Sequence, residues 1–376
     1  MSKSYYEDIY DVCFFSRPSY VAHAGAASCT ISRTTGLEWN SWSAPSQTPQ
    51  QAQELFNRAV KCESPEEIRT LTTSCSDGCA LLRLVLAERA YRFACGADVI
   101  RWGRLACADE RTAERASRLL SAWHALRLLA PTETNPQQAL LDRAVAFVCS
   151  KSGRTESQVR DSVLVESPVR EDWLSRGASL SEHAKVVDFY RTTFSYVLEL
   201  TAANLQVETL NNYQTVLRIL KYAGVRLLAD YGAGIGTFAR LAAAKGLDVH
   251  AFDLDSETFQ FAQSQPSCGR HPIRYSVVES HPSPMQSPVD CIVCTEVLEH
   301  LPDPDALLDC FDQSLAPSGI LVLSESFDDI DDFCMHFPEH KGRGGSVFSR
   351  EMCQRGYRPL LDSPECHIRV FVKSTA

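Results

Sequence analysis

The stretch "LLADYGAGIGTFARLAAAKGLDVHAFDLD", Leu227 to Asp255, constrains the fold more than any other part of the chain. An apolar run ends in Gly232, Gly234 and Gly236, set at every second position, and a helix-like segment follows at once. Glycine reaches backbone angles closed to other residues and lets a ligand touch the main chain. A strand, a glycine turn and a helix in that order predict the first unit of a parallel sheet, with a ligand gathered at the strand's carboxyl end.

The texture on either side supports this. "RLLADYG", "LDVHAFD", "IRYSVVE", "VDCIVCT", "GILVLSES" and "HIRVFVKS" each predict a short strand, and they alternate with helical stretches. The expected fold class is therefore α/β, a sheet with helices on both faces. Upstream the pattern is all helical. "TPQQAQELFNRAV" offers Thr48 as N-cap with Pro49 and Gln51, "SPEEIRTL" repeats the device with Ser64, Pro65 and Glu67, and "NPQQALLDRAVAFV" does so with Asn135, Pro136 and Gln138. "SEHAKVVDFYRTTFSYVLEL" predicts one further helix and "NLQVETLNNYQTVLRILKYAG" another. Three regions result: an irregular arm over 1–47, a helical domain and connection over 48–177, and the sheet domain over 178–376.

Composition narrows the function classes. The formal net charge of −10 disfavours nucleic acid as a partner, because phosphate binding needs clustered Lys and Arg. No apolar run approaches a membrane span and the first residues lack a signal peptide's order, so the expectation is a cytoplasmic protein without a membrane partner. The 15 cysteines do not form a metal framework. Cys75 and Cys79 have no second close pair, and Cys291 and Cys294 sit in the strand "DCIVC", where thiols act as core fillers.

The details of the glycine turn separate two ligand classes. A dinucleotide fingerprint is G-x-G-x-x-G, whereas the spacing here is G-x-G-x-G, with Asp230 two residues before the first glycine. An anion there would repel a pyrophosphate and suit a positively charged ligand. Residues 228–326 resemble the class I S-adenosylmethionine-dependent methyltransferases: "DYGAGIGTF" is similar to their first motif, "HAFDLDSETFQFA" to their second, and "VDCIVCTEVLEHLPDPDALLDCFDQSLAPSGILVLSES" to their fourth strand, helix and fifth strand. The resemblance implies a Rossmann-like mixed sheet, preceded here by an all-α domain. It also implies S-adenosylmethionine (SAM) as cofactor, held by Asp230, Gly232, Gly234, Gly236, Asp253, Leu254, Glu279 and Thr295. Asp253 takes the ribose-binding position in preference to Asp255, and Glu279 the position that reaches the adenine.

A second constellation follows β-strand "VDCIVCT". In "EVLEH", Glu296, Glu299 and His300 lie at spacings of three and four and would share one helix face. Downstream, "SFDDIDDFCMHFPEHKGRGGSVF" supplies His336 and His340, with Pro338 between them to prevent a regular helix. Carboxylates and imidazoles so arranged could hold a divalent ion of the Mg, Mn or Fe kind through Glu296, Glu299, His300 and His336. The set is similar to the metal site of the small-RNA 3′-terminal 2′-O-methyltransferases, and quinone-pathway O-methyltransferases carry a comparable "EVLEH". Without a metal, His300, His336 and His340 are the available catalytic bases. The leading expectation is a tailoring methyltransferase acting on a small-molecule or peptide acceptor in a biosynthetic pathway, with the helical domain as lid or homodimer surface. RNA 2′-O-methylation and a noncatalytic cofactor-binding subunit are the alternatives.

Overall fold

The computed structural model describes the chain from residue 54 onward, except 56–57, 60, 63, 75–79, 93–95, 164–167, 177–179, 181–182, 280–284, 286, 329–334, 363–367 and 375–376. The arm over 1–47, the Thr48 cap with Pro49 and Gln51, and Cys75 and Cys79 lie outside the described residues. By compactness the chain divides into Met1–Asp142 with Ala202–Asn211, and Arg143–Thr201 with Asn212–Ala376.

The first unit contains helices α1 (Pro65–Ser74), α2 (Ala80–Arg92), α3 (Gly96–Ala106) and α4 (Glu110–Leu129). α1 starts where the sequence placed it: Ser64 Oγ accepts the Glu67 N–H at 3.2 Å, with Pro65 at the first helical position. The buried face carries Leu82, Leu86, Tyr91, Trp102 and Leu126, and Tyr91 meets Trp123 edge-on at 5.9 Å. Gly103 permits the close approach of α3 to α4, since a Cβ there would stand 2.8 Å from Leu120 Cδ2.

Helix α5 (Pro136–Ser152) begins on the second expected cap, where Asn135 Oδ1 accepts the Gln138 N–H at 2.9 Å. The stretch expected as a connection up to 177 instead forms α6 (Glu156–Val163) and α7 (Pro168–Ser175) within the second unit. The physical reason is burial. Val145, Val148 and Val159 belong to one apolar cluster with Ile235 and Phe261 of the sheet domain. The helix expected over 181–200 is broken into α8 (His183–Thr192) and α9 (Ser195–Asn204). Asp172, on α7, accepts hydrogen bonds from the Thr193 and Ser195 hydroxyls, the latter at 3.1 Å, and holds the break open. Helix α10 (Val207–Tyr222) then leads into the sheet.

The sheet has seven strands in the order β3-β2-β1-β4-β5-β7-β6. These are β1 (Leu227–Tyr231), β2 (Asp248–Asp253), β3 (Arg274–Val277), β4 (Val289–Thr295), β5 (Leu315–Ser324), β6 (Tyr357–Leu361) and β7 (Ile368–Lys373). Strands β3, β2, β1, β4 and β5 are mutually parallel, and β7 runs antiparallel to both β5 and β6. The order reverses at β1 and β4, the switch point where open α/β sheets bind ligands. Six strands match those read from sequence. The seventh, β6, carries Arg358 and Pro359 on an exposed sheet edge, so it has no apolar pattern to find.

Helices α11 (Thr237–Ala244), α12 (Glu257–Ser264), α13 (Pro304–Ser314) and α14 (Ser346–Gln354) connect the strands. Ile292, Leu307, Phe311, Leu321, Phe348 and Phe371 form the core beneath β4, β5 and β7. Each such side chain contributes about 1.5–3 kcal/mol of burial. Cys291 and Cys294 of β4 are both buried, their thiols pushed well above the ordinary value by burial, as expected of core fillers. Among the described residues no helix is long and apolar enough to cross a membrane.

Candidate active site

The expected cofactor ligands lie at the carboxyl ends of β1, β2, β3 and β4, and His336 and His340 follow β5. After β1 the chain turns through Gly232, Gly234 and Gly236, all at positive φ (71°, 53° and 73°). Their need for glycine differs. A Cβ at Gly232 would stand 2.3 Å from Val297 Cγ2 and one at Gly236 3.0 Å from the Ala262 Cβ, while at Gly234 it would meet only Leu200 Cδ1 at 3.4 Å. The Gly232 and Ala233 N–H groups both donate to the Phe252 carbonyl, tying the turn to β2.

Two carboxylates flank this turn. Asp253 Oδ2 accepts the Gly234 N–H at 2.6 Å and Oδ1 accepts the Leu254 N–H at 2.7 Å. The residue expected to grip a ribose thus also fixes the glycine turn. Burial pushes its pKa up to about 6 despite those two bonds. Asp230 is only 3% exposed, and no donor reaches its Oδ2 among the described residues. Burial first, then the Asp253 charge, push Asp230 up to about 7, and a bond from the Ala239 N–H offsets only part of this. Two buried acids side by side, one with an unmet oxygen, make the turn receptive to a cation. Ser256 caps α12 by accepting the Phe259 N–H at 3.2 Å, which leaves Asp255 exposed and outside the pair. Glu279 is exposed just past β3. Thr295 ends β4 and shares a hydrogen bond with Tyr213 of α10, whose hydroxyl is raised by burial and then by Asp230 and Glu296. Sequence reasoning missed Tyr213, which sits in an ordinary amphipathic helix.

The second constellation departs from expectation. "EVLEH" forms no helix face: Glu296 stands at φ 53° and only Leu298–His300 make a single 3-10 turn. The Glu296 N–H points back to Ser324 of β5, at 3.1 Å from its Oγ, which sets that strained angle. Glu296 itself accepts the Ser326 hydroxyl at 2.6 Å. Burial alone would raise this carboxyl, but the bonds from Ser326, Glu299 and Ser324 hold it below its ordinary value. Glu299 is 1% exposed and lies beside Glu296. Burial, then the Glu296 charge, push Glu299 well above the carboxylate range. The two carboxyls are thus pushed in opposite directions, Glu299 toward its neutral form.

Glu299, His300 and His336 come together, one ligand atom from each lying within 4.8 Å of the others. The two imidazole rings meet edge-to-face at 4.7 Å. Burial, then His336, push His300 down to about 4, so it is neutral at physiological pH. His340 does not join them: its Nε2 lies 2.8 Å from the Leu301 carbonyl and its ring packs against Phe327 and Phe337. Pro338–His340 form their own 3-10 turn, which sends the two histidines apart. The group thus excludes His340 and leaves Glu296 as a neighbour. His300 has a partner that sequence did not suggest, the Tyr190 hydroxyl at 2.9 Å. The remaining histidines named by pattern are duller: His124 is exposed on α4, and His183 opens α8.

Residues 212–355 match the family described as a methyltransferase domain. The ubiquinone biosynthesis O-methyltransferase of Psychrobacter arcticus is 36% identical over 106 residues, 27% of this chain and 41% of the relative. That of Photorhabdus laumondii is 32% identical over 97 residues, 25% and 40% of the two chains. The match thus spans about two-fifths of the length of these curated relatives. Among solved structures, the magnesium protoporphyrin IX methyltransferase of Synechocystis with bound SAM aligns over 43% of this chain and 78% of its own, at 19% identity and a TM-score of 0.34. The matched residues hold the glycine turn and strands β1 to β5, so residues 212–355 form a SAM-dependent methyltransferase domain on a Rossmann-like sheet.

Proposed function

We propose that this chain transfers a methyl group from SAM to a small-molecule or peptide-type acceptor in a biosynthetic pathway, assisted by a divalent metal. The observation that carries the first half is the cradle after β1: a glycine turn at positive φ, backed by Asp230 with an unmet buried oxygen and by Asp253. When bound, SAM supplies a methyl carbon already activated by its sulfonium. Asp230 would then meet positive charge, Asp253 would offer its remaining lone pairs to hydroxyls, and the bare backbone at Gly234 would admit the ligand closely. What remains for the chain is alignment and deprotonation of the acceptor.

The metal reading is supported by the donor set. Glu299 is a buried carboxyl beside Glu296, and it sits with two imidazoles at ligand spacing. A hard or borderline divalent ion suits one oxygen and two nitrogens, and Glu296 stands next to them in the chain turn. Such an ion would supply Lewis acidity toward an acceptor oxygen. His300 and His336 would hold it, or in its absence accept the acceptor's proton. The small-molecule reading draws on the two named quinone-pathway relatives, and the net charge of −10 weighs against RNA. The ligand cluster also suits 2′-O-methylation of an RNA end, so that reading stays second.

The test is methyl transfer from labelled SAM to a catechol-type panel and to short RNA, with metal analysis before and after chelation. Turnover of a phenolic acceptor that EDTA abolishes and Mn²⁺ or Mg²⁺ restores is the expected result. Activity indifferent to EDTA in a protein free of metal would end the metal reading, and exclusive activity on RNA would reverse the choice of acceptor.

A further inference from the structure

Outside the domain that matches the family, α8 reaches the ligand cluster through one side chain. Tyr190 lies 110 positions before His300 in sequence, yet its hydroxyl oxygen is 2.9 Å from His300 Nδ1. The Met335 carbonyl oxygen faces the same nitrogen at 3.4 Å. We propose that Tyr190 is a positioning residue that, with the Met335 carbonyl, holds His300 in the Nδ1–H tautomer and turns its Nε2 lone pair toward Glu299 and His336.

The argument is one of donors and acceptors. A carbonyl can only accept, so an attractive contact with Met335 requires a proton on Nδ1. That N–H can donate to the Tyr190 oxygen as well, whereas a Tyr190 hydroxyl donating to a bare Nδ1 would leave two lone pairs opposed at the carbonyl. A neutral imidazole has one N–H, so Nε2 is then the acceptor. The partner of one ring nitrogen sets what the other can do, which is how residues behind a metal ligand fix its orientation.

The surroundings hold Tyr190 in place. Its ring packs edge-on to His300 at 5.6 Å and to Phe189 at 5.8 Å, and lies 5.7 Å from Tyr196. Behind these, Trp173 of α7 meets Phe189 at 5.0 Å, and Met335, adjacent to His336, is buried in the same cluster. The break at Thr193 is what lets α8 and α9 present both tyrosines to this cluster. Helices α7 and α8, which precede the matched domain, are on this inference part of the site. Its consequence for metal binding rests on the function proposed above, while the tautomer itself does not.

Two readouts separate these. The full chain, labelled with ¹⁵N-histidine and stripped of metal, gives long-range ¹⁵N–¹H correlations that distinguish the two tautomers, with His300 assigned by its loss in His300→Gln. Titration with Mn²⁺ alone gives metal affinity. The expected wild-type signal is Nδ1–H. Tyr190→Phe, which keeps the ring and its packing, should give a mixture of tautomers and roughly 10–100-fold weaker Mn²⁺ binding. Tyr196→Phe should change neither, because its hydroxyl faces Met335 Sδ at 3.6 Å. An Nε2–H signal in the wild type, or an unchanged tautomer in Tyr190→Phe, overturns the proposal. If the tautomer shifts as stated but the wild type binds no Mn²⁺, the role of Tyr190 is upheld and the metal reading falls.

Discussion

Asp230→Asn should make the ligand-free protein more stable and the ligand-bound protein weaker. The Asp230 carboxyl is 3% exposed, has an oxygen with no donor among the described residues, and is raised from 3.8 to about 7 by burial and by Asp253. An acid whose folded-state pKa is raised folds most favourably when protonated. Its stabilising effect is full below the unfolded value near 3.8 and is lost as pH climbs to about 7. Each pH unit in that window costs roughly 1.4 kcal/mol, so the wild type loses at most about 2.7 kcal/mol between pH 5 and 7 relative to the variant. Water entry and relaxation should reduce this to about 1–2 kcal/mol. Urea unfolding of both proteins at pH 5, 7 and 8 measures the difference, which cancels the titration of other groups. Calorimetry with S-adenosylhomocysteine, which keeps the α-ammonium, measures binding. The reasoning fails if the variant's advantage does not grow with pH, or if Asp230→Asn binds as tightly as the wild type.

Two further substitutions test the turn itself. Asp253→Ala removes the acceptor of the Gly234 and Leu254 N–H groups, so S-adenosylhomocysteine affinity should fall by about 2–4 kcal/mol and the Gly234 amide should exchange faster; unchanged calorimetry would mean Asp253 does not face the ligand. Gly232→Ala puts a Cβ 2.3 Å from Val297 Cγ2 at φ 71° and should destabilise by about 2–4 kcal/mol, partly recovered by Val297→Ala, whereas Gly234→Ala should cost about 1 kcal/mol from its backbone angle. Strict additivity of Gly232→Ala with Val297→Ala would show that this contact is not the cause.

The parts of the molecule that were legible are those whose physics is local. Asp230, the three glycines and Asp253 fall within 24 positions, on a strand, a turn and the next strand, and each has a role its immediate neighbours dictate. The caps at Ser64 and Asn135 are legible for the same reason: the acceptor and the N–H it satisfies are three residues apart. Where a distant group decides the conformation, pattern misleads. The apolar spacing of 181–200 is helical on both sides of Thr193, and at the break Asp172, on another helix, accepts the Thr193 and Ser195 hydroxyls. "EVLEH" has helical spacing too, but β5 captures the Glu296 N–H and forces the chain through a left-handed residue before its 3-10 turn.

That division runs through the site as well. The half proposed to meet the cofactor is built by consecutive elements, so its residues could be named from the sequence. The half proposed to face an acceptor is built where Glu299 and His300, His336 with Met335, and Tyr190 with Tyr196 converge from three separate segments. Of these segments, α8 lies outside the residues that match the methyltransferase family. Tyr190 occupies a helix position whose spacing is fully accounted for by packing with Phe189 and Trp173, so nothing in its pattern marks the hydroxyl as special. Substitutions at the cofactor half should therefore change affinity for every acceptor alike. Substitutions at Tyr190, His336 or Met335 should change which acceptors are used, because these side chains are contributed by segments that the cofactor does not constrain.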